Sequence, residues 1–185
     1  MEDFRTKEQL EAEYGYNCNS GSPAVYVGTY AKYNRGSLYG AWFDLTKFYD
    51  YGEFMDACRE LHHDEDDPEF MFQDFENFPE AWYSESCMNE ETFDKIREYD
   101  DLSGSEQAAF EAYIENIDSD GDYSRFQDRY VGELTLREYA EQLVEDVIGS
   151  MNLPSIIECN IDYDGIARDL SYEMTEADGY LFNDY

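Results

Sequence analysis

Alternating and β-branched apolar residues open the body of the chain. Residues 24–30 (AVYVGTY) and 38–45 (LYGAWFDL) flank the turn-rich run KYNRGS, a pattern that predicts a β-hairpin with a long loop. Residues 69–76 (EFMFQDFE) are typical of a third strand. Between the hairpin and this strand, apolar residues at helical spacing predict a helix: Phe54, Ala57, Cys58 and Leu61. We therefore expect an N-terminal α+β domain over residues 24–76.

Helical patterns dominate the next part of the chain. The runs NEETFDKIREYDDL and SGSEQAAFEAYIENI predict a helical middle domain over residues 77–120. A C-terminal α+β domain is predicted over residues 121–185, with a strand near 129–134, helices at 135–149 and 162–170, and a hairpin around Asp178-Gly179. The helix at 135–149 has the clearest apolar stripe of the chain, formed by Leu136, Tyr139, Ala140, Leu143 and Val147.

Residues 1–23 are predicted to be an N-terminal extension and linker. Thr6 and Gln9 have the spacing of a helix capping box, and NCNSGSP is rich in residues that favour turns. The fold class expected for the whole chain is α+β. We expect an elongated multi-domain chain, in which a small unit of antiparallel sheet and helix at each end is joined to the other by a helical middle.

The charge balance is the abnormal property of this sequence. There are 45 Asp and Glu against 12 Lys and Arg, which gives a net charge of −33. Because 42% of residues are hydrophobic and 17% aromatic, the chain has enough apolar surface to fold, and disorder is rejected. Solubility requires only about 2–8 net charges in a small domain, so the excess indicates a selected function, with adaptation to high salt as the competing cause.

Motifs for catalysis and metal binding are weak. In DSDGD (118–122) the glycine stands at position four instead of six of a calcium loop, so an acidic turn is predicted. In HHDED (62–66) adjacent histidines point apart on a helix, which disfavours zinc. Paired carboxylates are unavoidable among so many acids and do not identify a glycosidase. No phosphate-binding glycine loop or basic patch is present in the sequence. We expect no enzyme activity, cofactor, metal or direct nucleic-acid binding.

The four cysteines and the termini bear on the compartment. Cys18, Cys58, Cys87 and Cys159 are widely spaced, so neither a metal cluster nor a disulfide framework is expected. The first residues are acidic where a signal peptide is basic and then apolar, and no apolar run approaches the ~20 residues of a membrane span. A reduced, cytoplasmic protein that does not bind membranes is expected.

What remains is the charge itself. Duplex DNA carries one negative charge per about 1.7 Å of axis, so −33 corresponds to about 56 Å of duplex. Helical acids three and four residues apart, as at Glu138, Glu141 and Glu145, step by about 4.5–6 Å, the same order as the ~3.4 Å between phosphates on one strand. A single such row is ordinarily a solvated face, but ordinary faces mix both signs. Imitation of DNA toward a DNA-binding enzyme is therefore favoured.

Two separated stretches resemble the ArdA antirestriction family. The first is PAVYVGTYAKYNRGSLYGAWFDL (23–45), with its strand, KYN-G loop and GAWFDL strand. The second is YAEQLVEDVIGSMNLPSIIECNIDYDGIARDL (139–170), a helix and a proline-containing segment followed by Tyr and G-x-A-R-D-L. The resemblance covers about residues 23–185, whereas residues 1–22 depart from the family's usual short N-terminus.

The resemblance implies three small domains in a curved molecule that dimerises through its C-terminal domain. It implies a mimic of bent B-form DNA that occupies the DNA-binding groove of type I restriction–modification enzymes, at their specificity and methyltransferase subunits. Such proteins are carried by plasmids, transposons or phages to evade host defence. The family's antirestriction motif maps onto residues 139–152, which predicts a motif and dimer region containing Tyr139, Leu143, Val147 and Met151.

Thirteen acids are predicted to form the DNA-like acidic surface: Asp64, Glu65, Asp66, Asp67, Glu69, Asp74, Glu76, Glu80, Glu111, Glu115, Glu138, Glu141 and Glu145. The alternative is an acidic interaction module that sequesters another basic DNA-binding protein, such as a nucleoid protein. A carboxylate enzyme or cation binder is the second alternative, and it predicts loss of activity from one or two substitutions.

Overall fold

The computed structural model describes residues 4–185, and these divide into two compact units, the first ending at Ser103 and the second covering Gly104–Tyr185. Mixed helix and antiparallel sheet fill the described part of the chain, with a three-stranded sheet in each unit, so the predicted α+β class is confirmed. The boundary at residue 103 falls inside the predicted helical middle, so α4 (Glu90–Asp100) lies in the first unit and α5 (Gly104–Asn116) in the second. The division into three domains remains a prediction.

The first unit is built around the predicted hairpin and third strand. Before α4 it contains, in chain order, α1 (Lys7–Tyr14), β1 (Ala24–Thr29), α2 (Tyr30–Asn34), β2 (Ala41–Asp44), a 3-10 turn (Leu45–Lys47), α3 (Tyr51–Leu61), β3 (Phe70–Glu76) and a second 3-10 turn (Glu80–Trp82). The predicted hairpin corresponds to β1 and β2, and the predicted third strand to β3. The strands pair antiparallel in the order β2-β1-β3. The long hairpin loop holds a feature that the sequence pattern missed, because helix α2 begins directly after β1 and Thr29 caps it.

Aromatic rings form the core of the first unit. Phe54 of α3 lies 5.3 Å from Phe48 and 5.7 Å from Phe93 of α4, measured between ring centroids. These three side chains are fully or almost fully buried together with Phe43 of β2. Each aromatic side chain buries about 150–250 Å², so a few rings supply the hydrophobic burial that offsets repulsion among surface acids.

The N-terminal segment is packed into the first unit. The predicted capping box of Thr6 and Gln9 is present at the start of α1, and Leu10 and Tyr14 of this helix are buried. After the helix, the Tyr16 amide donates to the Trp42 carbonyl at 3.2 Å, next to a bridge between Gly15 and Phe43. The segment predicted as an extension therefore covers the exposed edge of strand β2, where unpaired backbone groups would otherwise remain.

The second unit combines helices with a smaller sheet. Its further elements are α6 (Tyr123–Arg129), β4 (Tyr130–Gly132), α7 (Leu136–Ile148), α8 (Ser155–Glu158), α9 (Tyr163–Leu170), β5 (Met174–Ala177) and β6 (Tyr180–Asn183). The strands pair antiparallel in the order β4-β6-β5. The predicted C-terminal hairpin is confirmed, because Asp178 and Gly179 both have positive φ, as a tight two-residue turn requires.

The core of the second unit lies between its first helices and the sheet. Tyr113 of α5 and Phe126 of α6 contact Phe182 of β6, with ring centroids 5.7 and 6.4 Å from it. Phe110 lies 5.0 Å from Phe126 in an edge-on arrangement. In α7, which the structure describes completely, the one buried residue is Ala140. Helix α7 therefore contributes little to this core.

Candidate functional site

The acids of the predicted acidic surface are exposed almost throughout. Each of the thirteen lies in the described part of the chain, and all but Glu65 are exposed. In the first unit they lie on the loop after α3, on β3 and at the following 3-10 turn. In the second unit they lie on α5 and α7. A charged binding surface requires its acids to be exposed. That these thirteen acids bind a partner remains a proposal.

Glu65 is held inward by a cluster that we call the Lys32 cluster: Lys32, His62, Asp64, Glu65 and Thr29. The Lys32 ammonium donates to Asp64 at 2.6 Å, contacts Glu65 at 3.0 Å, and lies 3.0 Å from His62 Nδ1. The hydroxyl of Thr29 donates to Glu65 at 2.8 Å. Two negative charges of the predicted surface are therefore paired with a cation.

His62 is fully buried and both of its ring nitrogens have partners. Since an ammonium group can only donate, Nδ1 accepts from Lys32, and Nε2 carries the proton toward the Val27 carbonyl at 3.3 Å. Burial, and then the neighbouring Lys32 charge, lowers the His62 pKa to about 4. The imidazole is therefore neutral at pH 7. The next residue, His63, points elsewhere and stacks on Phe4, so the predicted divergence of the two histidines is confirmed.

The ionised forms of the cluster stabilise one another. The hydrogen bond from Lys32 lowers the pKa of Asp64. Burial raises the pKa of Glu65, but the hydrogen bonds from Thr29 and Lys32 outweigh it and the pKa is lowered overall. Burial likewise lowers the pKa of Lys32, yet its hydrogen bonds to the two acids raise it overall. The cluster is therefore an ion pair network at neutral pH.

The same residues resemble a metal site in composition. Within residues 4–185, His62, Asp64 and Glu65 offer ligand atoms that all lie within 4.8 Å of one another. The sequence HHDED disfavours a metal there, but it does not reveal that Lys32, thirty positions before His62, contacts His62, Asp64 and Glu65 together. The ammonium group already supplies the positive charge among these atoms, and a metal ion would have to displace it. The arrangement fits a structural ion cluster better than a metal centre.

The acidic row of α7 is partly engaged in local contacts. Glu138 forms a capping box with Thr135, and its pKa is lowered by the hydrogen bond from the Thr135 backbone. Glu141 pairs with Arg137 at 3.1 Å, and Arg137 also binds Asp164 of α9. All three acids of the row nevertheless remain exposed. Because exposed ion pairs are weak, the pair of Arg137 and Glu141 contributes little to stability.

The predicted motif and dimer region presents an apolar surface. Tyr139 is half-buried, whereas Leu143, Val147 and Met151 are 38%, 61% and 55% exposed. Two of these residues line a groove of about 280 Å³, which we call the apolar groove; its full lining is Leu143, Val144, Val147, Ile148, Ile161 and Ile166. Ile156 and Ile157 of α8 are exposed as well. Exposed apolar side chains grouped around a groove, as Leu143 and Val147 are, are typical of interaction surfaces.

The predicted acidic turn at residues 118–122 is confirmed. Asp118 accepts from Arg125 at 3.0 Å, Gly121 has a φ of 61°, and Asp122 caps helix α6 through the Arg125 amide. These acids therefore have local structural partners.

The cysteines of the described chain are all free, and Cys58 is the buried one, with burial raising its pKa. Among the described residues, none of the helices combines the length and apolarity that crossing a bilayer demands.

Comparison with protein families gives a match over most of the chain. A family model described as antirestriction protein (ArdA) matches residues 25–182 of the 185-residue chain. The match runs from β1 to β6 and so includes both sheets, the acidic surface and the apolar groove. Residues 1–24 lie outside it. A search of curated proteins found no significant match.

Proposed function

The chain belongs to the ArdA antirestriction family, and from this we propose that it is a non-catalytic mimic of B-form DNA. In this proposal it occupies the DNA-binding groove of type I restriction–modification enzymes, at their specificity and methyltransferase subunits, and inhibits them. The protein acts in the cytoplasm, needs no cofactor, does not itself bind nucleic acid or membranes, and protects an incoming mobile element from host restriction.

The observation that carries this proposal is the exposure of the acidic surface on folded units. Of the thirteen acids, all in the described range, twelve are exposed, and both units that carry them have cores of buried aromatic rings. A disordered acidic chain would lose conformational entropy on binding, whereas a folded chain displays its charges already fixed. A fixed array of carboxylates can pair with the Lys and Arg residues that line a DNA channel.

The apolar surface of α7 and α8 supports a homodimer. A second copy of this chain would cover Leu143, Val147 and Met151, which are exposed in the single chain. Two copies would also double the length over which charge is displayed, to about 112 Å of duplex at the charge density of DNA. We therefore propose that the C-terminal unit dimerises through this surface, as the family resemblance implies.

Competition binding tests the proposed function. A purified type I methyltransferase core is bound to labelled duplex DNA, and the protein is titrated in. We expect complete displacement of the DNA. Poly-glutamate at the same total charge is the matched control, and it should displace DNA only at far higher concentration because its charges are not fixed. Absence of competition by the folded protein would overturn the proposal.

A pull-down from a bacterial extract separates the alternative function. Recovery of the restriction complex supports inhibition of restriction. Dominant recovery of a nucleoid protein would instead support an acidic module that sequesters another basic DNA-binding protein, since net charge alone suits either partner.

A further inference from the structure

Lys32 is a cation held inside the candidate acidic surface. Its side chain is only 12% exposed, and Tyr39 covers it with a ring centroid 5.1 Å from the ammonium nitrogen. Its partners, Asp64 and Glu65, belong to the loop 62–69 between α3 and β3. The ion pair of Lys95 and Glu91 is different, because it joins two residues one turn apart on the same helix, α4. Lys32 joins two parts of the chain that are far apart in sequence.

Several contacts fasten the loop 62–69 to the end of strand β1. His62 contacts the Val27 carbonyl at its first residue, and Glu65 binds both Thr29 and Lys32 at its centre. At its last residue, the Glu69 carbonyl accepts from the Tyr30 amide at 3.0 Å. Asp66 and Asp67 lie between these attachments and are exposed. Lys32 is the cation of the central attachment, where it contacts both Asp64 and Glu65.

We propose that Lys32 is a positioning residue for partner binding: it fixes the acids of the loop 62–69 in place, and so strengthens binding although its own charge has the wrong sign. This inference rests on the proposed function. Five acids lie within six residues of this loop, and their mutual repulsion favours an open, mobile loop. A mobile loop would lose entropy on binding, whereas the fastened loop offers Asp66, Asp67 and Glu69 in one arrangement.

A matched pair of variants separates position from charge. Lys32→Met and Lys95→Met each make the net charge one unit more negative than −33. If charge alone governs binding, both variants compete with DNA as well as wild type or better. We expect Lys95→Met to compete with DNA at least as well as wild type. We expect Lys32→Met to compete roughly fivefold more weakly, because one loop of the summed surface is lost.

Hydrogen exchange measures the positioning itself. In Lys32→Met, amides of the loop 62–69 should exchange about tenfold faster or more, while those of β1 stay protected. Should Lys32→Met fail to fold, Glu65→Gln and Asp67→Asn provide a second pair. Each removes one acid from the same loop, but only the first removes a Lys32 partner, so Glu65→Gln should weaken competition more than Asp67→Asn.

The outcomes distinguish this inference from the proposed function. Failure of the wild-type protein to displace DNA overturns the proposed function. Displacement by wild type, with Lys32→Met as effective as Lys95→Met or with unchanged exchange in the loop, overturns the positioning role of Lys32. Faster exchange together with weaker competition in Lys32→Met supports it.

Discussion

The ring of Tyr14 stacks on the ring of Phe48, with centroids 4.2 Å apart and planes 20° from parallel. Tyr14 lies before the segment that matches the family, and Phe48 lies within it. The Tyr14 hydroxyl also donates to Glu53 of α3 and accepts from Arg5. Helix α1 is thereby joined to the core of the first unit.

Tyr14→Ala should destabilise the first unit. Removing a buried aromatic ring leaves a cavity, and the free energy of unfolding should fall by about 3–4 kcal/mol. Urea denaturation followed by circular dichroism measures the change. Tyr49→Ala is the matched control, because the Tyr49 side chain is 84% exposed and its loss should change the unfolding free energy by less than about 0.5 kcal/mol. Equal stability of the two variants would show that α1 is not part of the fold.

Acidification should weaken the first unit through His62. Its pKa in the folded chain is about 4, below the ~6.5 of an unfolded histidine, so the unfolded state binds the proton more readily. The contribution of neutral His62 to stability is therefore complete above about pH 6.5 and is lost as the pH falls toward 4. The loss amounts to roughly 3 kcal/mol at most.

A comparison with His62→Gln isolates this contribution from the titration of the many carboxylates. The difference in unfolding free energy between wild type and the variant should shrink between about pH 6.5 and pH 4. The His62 imidazole resonances, followed by NMR, give its pKa directly. A value near 6.5 would contradict the prediction.

Individual acids of the exposed surface should contribute little. Glu76→Gln alone should change competition with DNA by less than about twofold, because the potential is summed over many carboxylates. Joint neutralisation of Asp66, Asp67 and Glu69 should weaken competition with DNA much more than this single substitution does. Loss of all activity from the Glu76 substitution would indicate a localised site instead of a distributed one.

Binding should also respond to salt less steeply than DNA binding does. Carboxylates fixed on a folded protein hold fewer condensed counterions than DNA phosphates, so fewer ions are released on binding. The logarithm of the affinity for the methyltransferase core, measured against the logarithm of salt concentration, should have a smaller slope for the protein than for duplex DNA. An equal or larger slope would contradict this view of the surface.

Val147→Asp should prevent dimer formation. The side chain is 61% exposed and lines the apolar groove, and a charge placed there would have to be buried in the proposed interface. Sedimentation velocity should show a dimer for wild type and a monomer for the variant. Tyr172→Asp changes a residue that is also exposed but does not line the groove, and it should remain dimeric.

Local sequence patterns were sufficient for most elements of the fold. Helix α3 follows from the spacing of Phe54, Ala57, Cys58 and Leu61, all of which are buried. The C-terminal turn follows from Asp178-Gly179, a pair that tolerates positive φ. Helix α2 was missed because Tyr30–Asn34 is short, and its start depends on the Thr29 cap after a strand. Capping is visible in sequence only where the neighbouring pattern already indicates a helix.

The apolar stripe predicted for α7 shows the limit of periodicity. The spacing of Leu136, Tyr139, Ala140, Leu143 and Val147 correctly gives a helix, but a pattern does not specify what covers its apolar side. Within the fully described α7 only Ala140 is buried, and Leu143 and Val147 stay exposed. The same pattern would arise from a core helix or from an interface helix, because both require an apolar side.

By itself, the sequence determined the class of elements, the net charge of −33 and the exposure of most acids, since charged side chains avoid burial and apolar periodicity is local. Only the tertiary structure decided which charges are paired and where the N-terminal helix α1 contacts the core. Lys32 reaches Glu65, and Tyr14 reaches Phe48, across more than thirty residues. Such contacts depend on how sheets and helices pack, which no local pattern records.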